Sequence, residues 1–257
     1  MKRLTNTALL SHPLAYSPIA KQAAGGEKGI DFLHYIDRIQ AVNVFDNGDV
    51  EFNFYAPSAE CVEVAGVTGS FKSDKIPLFK KENGYFTRIL SGIPAGFHYC
   101  DWFVDGVRVS NPDGRFYGGF RMMNFFDIPE TQDDFYFRRE VPHGTVRIEL
   151  YHSSVNGRTK YAYIYTPPLY EENVDKLYPV LYLQHGVCED ETSWLWSGKA
   201  NYILDNLIAE KKCQEMIIVM NSGYSFKEGE KAIFYPGDFD SELVYDCIPY
   251  IASNFRV

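Results

Sequence analysis

Residues 178–194 read YPVLYLQHGVCEDETSW, and they bring together most of the reactive side-chain types that the chain could use. Cys188 offers a thiol, but Glu189, Asp190 and Glu191 follow it directly. Negative neighbours disfavour the thiolate that a nucleophile needs, so catalysis by Cys188 is not the expectation. His185 with the three acids has the donor types for a metal, yet consecutive loop carboxylates rarely converge on one ion. A solvated acidic loop is the expected state, with no metal site, and His185 is expected to hydrogen-bond within the loop. Trp194 can stack on a sugar ring or a phenolic acyl group, or pack against the helix that follows. For Trp196 packing is the expectation.

These residues need a scaffold. The apolar run Val180 to Leu183 reads as a buried strand, and Met216 to Met220 as another, of the kind found in parallel sheets. Between them, KANYILDNLIAE places Ala200, Ile203, Leu204, Leu207 and Ile208 on one helical face. A second helix is expected from about 241 to 252, with Leu243, Val244, Cys247, Ile248 and Ile251 as its apolar stripe and a kink at Pro249. Upstream, Val146 to His152 and Tyr161 to Tyr165 read as strands joined at Asn156-Gly157 and stopped by Pro167-Pro168. Strand, helix, strand, helix is an α/β layer pattern. In such sheets ligands bind beyond the carboxyl ends of the strands. Two loops qualify, the one from Gly186 to Trp194 and the one that begins Asn221-Ser222-Gly223-Tyr224. They share a sheet edge, so Asn221 and Tyr224 are expected to line the same cleft as Trp194. His143 is expected to order the turn before the first strand of this half.

The first half has a different period. Val42 and Val44, then Val50, Phe52 and Phe54, alternate with polar neighbours around Asn47-Gly48, a strong hairpin signal. Cys61 to Ala65, Tyr85 to Leu90 and His98 to Val104 read as further short strands, so 41–128 is expected to form a β-sandwich. Trp102 is expected in its core or at a domain interface, with a sugar platform as the other reading. Residues 1–40 form a separate segment, with Gly25-Gly26 as a joint, and 129–257 form the second domain.

The chain has 257 residues, 46% of them hydrophobic and 16% aromatic, and a formal net charge of −9. No basic cluster serves nucleic acid, and no apolar run is long enough to span a membrane as a helix. The apolar stretch after Lys2 and Arg3 is broken by Thr5, Asn6, Ser11, His12 and Pro13, which argues for a cytoplasmic chain over an exported one. Five widely spaced cysteines without a CxxC pair argue against a disulfide scaffold and a zinc site.

Taken together, HG-x-x-x-DE-x-x-W after YPVLYL, the helix NYILDNLIAE, IIVMNSGY, VPHGTVRIELYHSSVNGRTKYAYIYTPP at 141–168 and ELVYDCIPYIASNFRV at the end resemble one branch of the α/β-hydrolases. That branch holds feruloyl and acetyl-xylan esterases and enterochelin-esterase-like proteins. GFHYCDWFVDGVRVSNPDGRFYGGF is similar to immunoglobulin-like early-set modules related to family-48 carbohydrate-binding modules. The resemblance implies a β-sandwich followed by the first half of an α/β-hydrolase domain. It implies a serine esterase, without cofactor, on a carbohydrate ester, and glycan as a ligand of the sandwich. It also assigns the loop after Gly186 to the oxyanion hole. A fixed N–H aimed at the developing oxyanion contributes about 3 kcal/mol; Val187 N–H is the candidate donor and Cys188 N–H the second. Relatives carry more glycines here than Val187-Cys188-Glu189.

No G-x-S-x-G elbow occurs in the sequence. The serine, the acid and the histidine are therefore expected beyond Val257. The strand Val180 to Leu183 is then expected to lack one neighbour and the chain to self-associate. The alternative is a carbohydrate-binding protein whose second half is a non-catalytic hydrolase remnant.

Overall fold

A computed structural model describes residues 39–67, 74–117, 122–130, 135–231 and 236–257. The N-terminal segment with Gly25-Gly26 lies outside these residues, save for its last two positions. The described residues up to 130 form one compact unit and those from 135 form another.

The first unit contains two antiparallel sheets. One runs β1 (Val42–Val44), β2 (Val50–Tyr55), β6 (Tyr85–Leu90), β5 (Phe79–Lys80). The other runs β4 (Ile76–Pro77), β3 (Val62–Ala65), β7 (Gly96–Val104), β10 (Met123–Ile128), β9 (Arg115–Tyr117), with β8 (Val107–Val109) paired to β7. The hairpin at Asn47-Gly48 forms as expected, with Val44 opposite Val50 and Gly48 at φ +82°. Alternation sends Val50, Phe52 and Phe54 into a core with Cys100, Trp102, Phe126 and Ile128 from the second sheet. Phe52 meets the Trp102 and Phe126 rings edge-on, at centroid distances of 6.2 and 5.4 Å. Trp102 is fully buried, so it presents no ring to a sugar.

The second unit is built on the order β11 (Thr145–Ser153), β12 (Arg158–Thr166), β14 (Ile217–Asn221), β13 (Val180–Tyr182). β11 and β12 form a hairpin that turns through Asn156-Gly157 and ends before Pro167. β14 pairs antiparallel with β12 and parallel with β13, so the sheet is mixed. Every residue of β14 is buried. Ile217 and Val219 face a core with Tyr151, Ile164, Cys247 and Ile251. Ile218 and Met220 face Tyr165, Ala200 and Leu204 on the other side. β13 lacks a second neighbour among the described residues, as expected, but it is not the buried strand that its apolar run suggested. It is an end strand of this order, paired with β14 alone among the described residues, and Leu181 is exposed.

α1 (Ser193–Trp196) and α2 (Ala200–Ala209) follow β13. After β14 come α3 (Phe239–Glu242), a π-helical turn (Leu243–Cys247) and α4 (Ile248–Asn254), continuous in sequence. Ile248 N–H donates to Leu243 O, five residues back, just before Pro249, which has no N–H to give. The wide turn stands where a kink was expected. It also changes the buried face: Cys247 and Ile251 are buried, whereas Val244 and Ile248 are exposed. An α-helical count placed those two in the stripe, and the additional residue in the turn rotates them out. No helix among the described residues is long and apolar enough to cross a membrane.

Candidate functional site

β13 and β14 run parallel, so their carboxyl ends deliver two loops to one end of the sheet. Leu183 N–H still bonds Val219 O, at 2.8 Å, before the first loop departs. At Gly186 the chain turns sharply. Gly186 N–H donates to Glu189 Oε2 at 3.0 Å, and Glu189 N–H returns to Gly186 O at 3.2 Å. Val187 is exposed, and its N–H has no acceptor among the described residues. Cys188 N–H, the second candidate donor, is engaged by the Tyr224 hydroxyl at 2.7 Å.

Cys188 lies at φ +66°. This left-handed conformation costs a residue with a Cβ about 1–2 kcal/mol, and glycine adopts it freely. A conformation that glycine would ease is here held by a hydrogen bond.

The loops are tied together. His185 accepts the Gly223 N–H at Nε2 (2.9 Å) while its Nδ1 bonds Gly186 O (2.8 Å), which fixes the Nδ1–H tautomer. The His185 and Tyr224 rings pack at 5.3 Å. A Cβ on Gly223 would lie 2.0 Å from the Gln184 side-chain amide, so a larger residue there would have to displace that amide. Trp194 donates its ring N–H to Gln184 O at 2.7 Å and lies across Gly198, where a Cβ would come within 2.6 Å of the ring. It packs against Gly198, and the residue as a whole is 38% exposed. Trp196, expected to pack, is 42% exposed.

Asn221 corrects the expectation that it lines the cleft. It is buried, and its amide lies 3.5 Å from the Tyr151 hydroxyl. Period two explains this: Asn221 shares a sheet face with Ile217 and Val219, which point into the core.

Below the second loop is a buried polar group that the sequence reading missed. Lys160 Nζ bonds Glu242 Oε2 at 2.8 Å, Tyr224 O at 2.7 Å and Ser222 O at 3.2 Å. Glu242 is fully buried and also accepts from Tyr151 Oη (2.6 Å) and Asn156 Nδ2 (3.0 Å). Burial first, and then the Cys247 and Glu242 neighbours, drive the Tyr151 hydroxyl far above the usual tyrosine range, so it remains a donor. Burial pushes the Cys247 thiol up to about 12. The signal was in the strand: Lys160 sits in register with Ala162 and Ile164, both core residues.

His143 binds Asp205 Oδ2 at 2.8 Å; the same buried carboxylate accepts Gly144 N–H and the Tyr165 hydroxyl. This fixes the entry to β11 on α2. Glu191 lies above the usual carboxylate range, chiefly through burial and then through Asp190. No group of metal-binding side chains occurs among the described residues.

No protein-family model matches the chain. An endo-1,4-beta-xylanase/feruloyl esterase of Xylanibacter ruminicola is 36% identical over 221 residues, 82% of this chain and 30% of that protein. The enterobactin esterase of Shigella flexneri, solved in the presence of enterobactin, aligns with 80% of this chain and 60% of its own at a TM-score of 0.54 and 10% identity. The chain shares the fold of that structure. In this chain that fold is rich in sheet and sparing in helix. A ferulic acid esterase from Anaeromyces mucronatus, in complex with ferulic acid, is 30% identical over 48% of each chain, at a TM-score of 0.44. The chain thus spans under a third of the curated relative and about half of this solved esterase.

Proposed function

We propose that these residues form the N-terminal part of a carboxylic ester hydrolase that acts on feruloyl or acetyl esters of polysaccharide. The observation that carries this reading is Val187 N–H. It has no acceptor among the described residues, follows a tight glycine turn, and stands at the carboxyl end of a parallel strand. A donor held in that way suits the oxyanion of a tetrahedral intermediate. Trp194, packed against Gly198 and partly exposed, and Tyr224 form the substrate wall. The Xylanibacter ruminicola relative, a xylanase/feruloyl esterase by name, supports the substrate class.

In this reading acyl transfer uses a serine, an acid and a histidine from residues outside these 257, because no G-x-S-x-G occurs among them. Serine acyl transfer of this type requires no metal or organic cofactor. The 257 residues alone are expected to hydrolyse p-nitrophenyl acetate at the background rate. A chain continued through a nucleophile elbow is expected to hydrolyse methyl ferulate. Turnover by the 257 residues that Cys188→Ala abolishes would move the chemistry to the thiol and sink the proposal.

A further inference from the structure

We propose that Tyr224 is a positioning residue of the candidate oxyanion loop, holding Cys188 left-handed through its hydroxyl while the buried Lys160–Glu242 pair holds Tyr224 itself. The inference rests on the esterase reading for its purpose, but its geometry stands apart from it.

Cys188 needs an external reason to sit at φ +66°. Its own side chain gives none: the thiol is free and makes no disulfide. The backbone N–H, at 2.7 Å from Tyr224 Oη, gives one. That peptide links Val187 to Cys188, so fixing the Cys188 N–H fixes the orientation of the residue whose own N–H is left free. Were Cys188 to relax to the right-handed region, the turn from Gly186 to Glu189 would lose its geometry and Val187 N–H its direction.

Tyr224 can serve as a fixed point because its neighbours hold it at three places. Its carbonyl accepts from Lys160 Nζ at 2.7 Å. Its ring lies between His185, at 5.3 Å, and Phe226, stacked at 6.3 Å. The adjacent Gly223 N–H is bonded to His185. Lys160 in turn is held by Glu242, which Tyr151 and Asn156 hold from the β11–β12 hairpin. A continuous set of contacts therefore leads from α3 through Lys160 and Tyr224 to the loop after β13.

The test uses the 257-residue chain and amide NMR without ligand. Tyr224→Phe keeps the ring and removes one hydroxyl. It is expected to speed exchange of the Cys188 amide by about tenfold and to collapse the dispersed Gly186 and Glu189 resonances, while Ile217 to Met220 stay unchanged. Tyr224→Phe combined with Cys188→Gly is expected to restore the Gly186 and Glu189 shifts, because glycine takes the left-handed conformation unaided. A purely structural role for Tyr224 predicts no such rescue. Lys160→Met with Glu242→Gln, which removes both charges together, is expected to reproduce the Tyr224→Phe shifts in part. Unchanged Gly186 and Glu189 shifts in Tyr224→Phe, or failure of the glycine to rescue them, would overturn the proposal. Ferulate added to the parent chain tests the other reading separately. A missing response at Val187, alongside the expected loop collapse and rescue, would reject the esterase and uphold the positioning role.

Discussion

The two units solve the problem of a defined interior in opposite ways. In the first, Trp102, Phe52 and Phe126 meet edge-to-face in a core built from the inner faces of two sheets. In the second, one side of the sheet holds a lysine and a glutamate, both buried, among tyrosines and aliphatic side chains. An apolar core is non-directional and tolerates adjustment of its parts. A buried ion pair is directional, and it is strongly unfavourable once half of it is gone. The first arrangement suits a unit that must only hold its shape. The second suits one that must hold two loop backbones at fixed distances.

This contrast can be broken at three points. The largest effect is expected for Trp102→Ala, which removes a fully buried indole and should cost the first unit about 5 kcal/mol. Hydrogen exchange of the β2 and β7 amides in the described strands would measure it. A loss below about 1 kcal/mol would mean that the core closes around the gap and is not specified by that ring. Next, Lys160→Met leaves Glu242 buried without its cation and should destabilise the second unit by about 3 kcal/mol, while Lys160→Met with Glu242→Leu should recover most of that loss. Urea melts of the two variants decide. A double variant no more stable than the single one would show that the pair is worth more than its replacement and is not kept for geometry alone.

The smallest effect concerns pH. Glu191 has its carboxyl raised, mainly by burial. The folded chain then binds that proton more tightly than the unfolded chain, so stability falls as pH rises from the ordinary carboxylate range through the raised value. Glu191→Gln should raise Tm slightly at neutral pH and leave it unchanged in acid below the ordinary carboxylate range. A variant that melts lower than the parent at neutral pH would show that the charge is needed.

The strands were legible where one simple period ruled them. Val50, Phe52 and Phe54 alternate cleanly, and all three are buried. The hairpin of β11 and β12 and the helix α2 were legible from Asn156-Gly157 and from the Ala200 to Ile208 stripe. The short strands β4, β5, β8 and β9 were not, since two or three residues cannot display a period. β10 was missed because all six of its residues are buried and no alternation remains to be seen. At the site, the convergence of the two loops followed from strand direction alone. The residues that set their geometry did not: Lys160 and Glu242 are not singled out in the sequence reading, and Cys188 is offered there as a second N–H donor, not as a left-handed residue held by Tyr224. Each owes its role to a partner between 36 and 82 residues away.

The π turn makes spacing part of the mechanism. Glu242 stands just before it, and Cys247 and Ile251 lie in and after it, on the buried side. The turn acts as a one-residue insertion that a straight helix would not contain. Rewinding the turn as ordinary α-helix, with every residue kept, would swing Glu242 by about 100° relative to the anchored end of the helix. The carboxylate would then leave Lys160, and the carbonyls of Ser222 and Tyr224 would lose their common clamp. The register of this helix is thus under a tighter constraint than the identity of most residues in it, and the wide turn is what maintains that register.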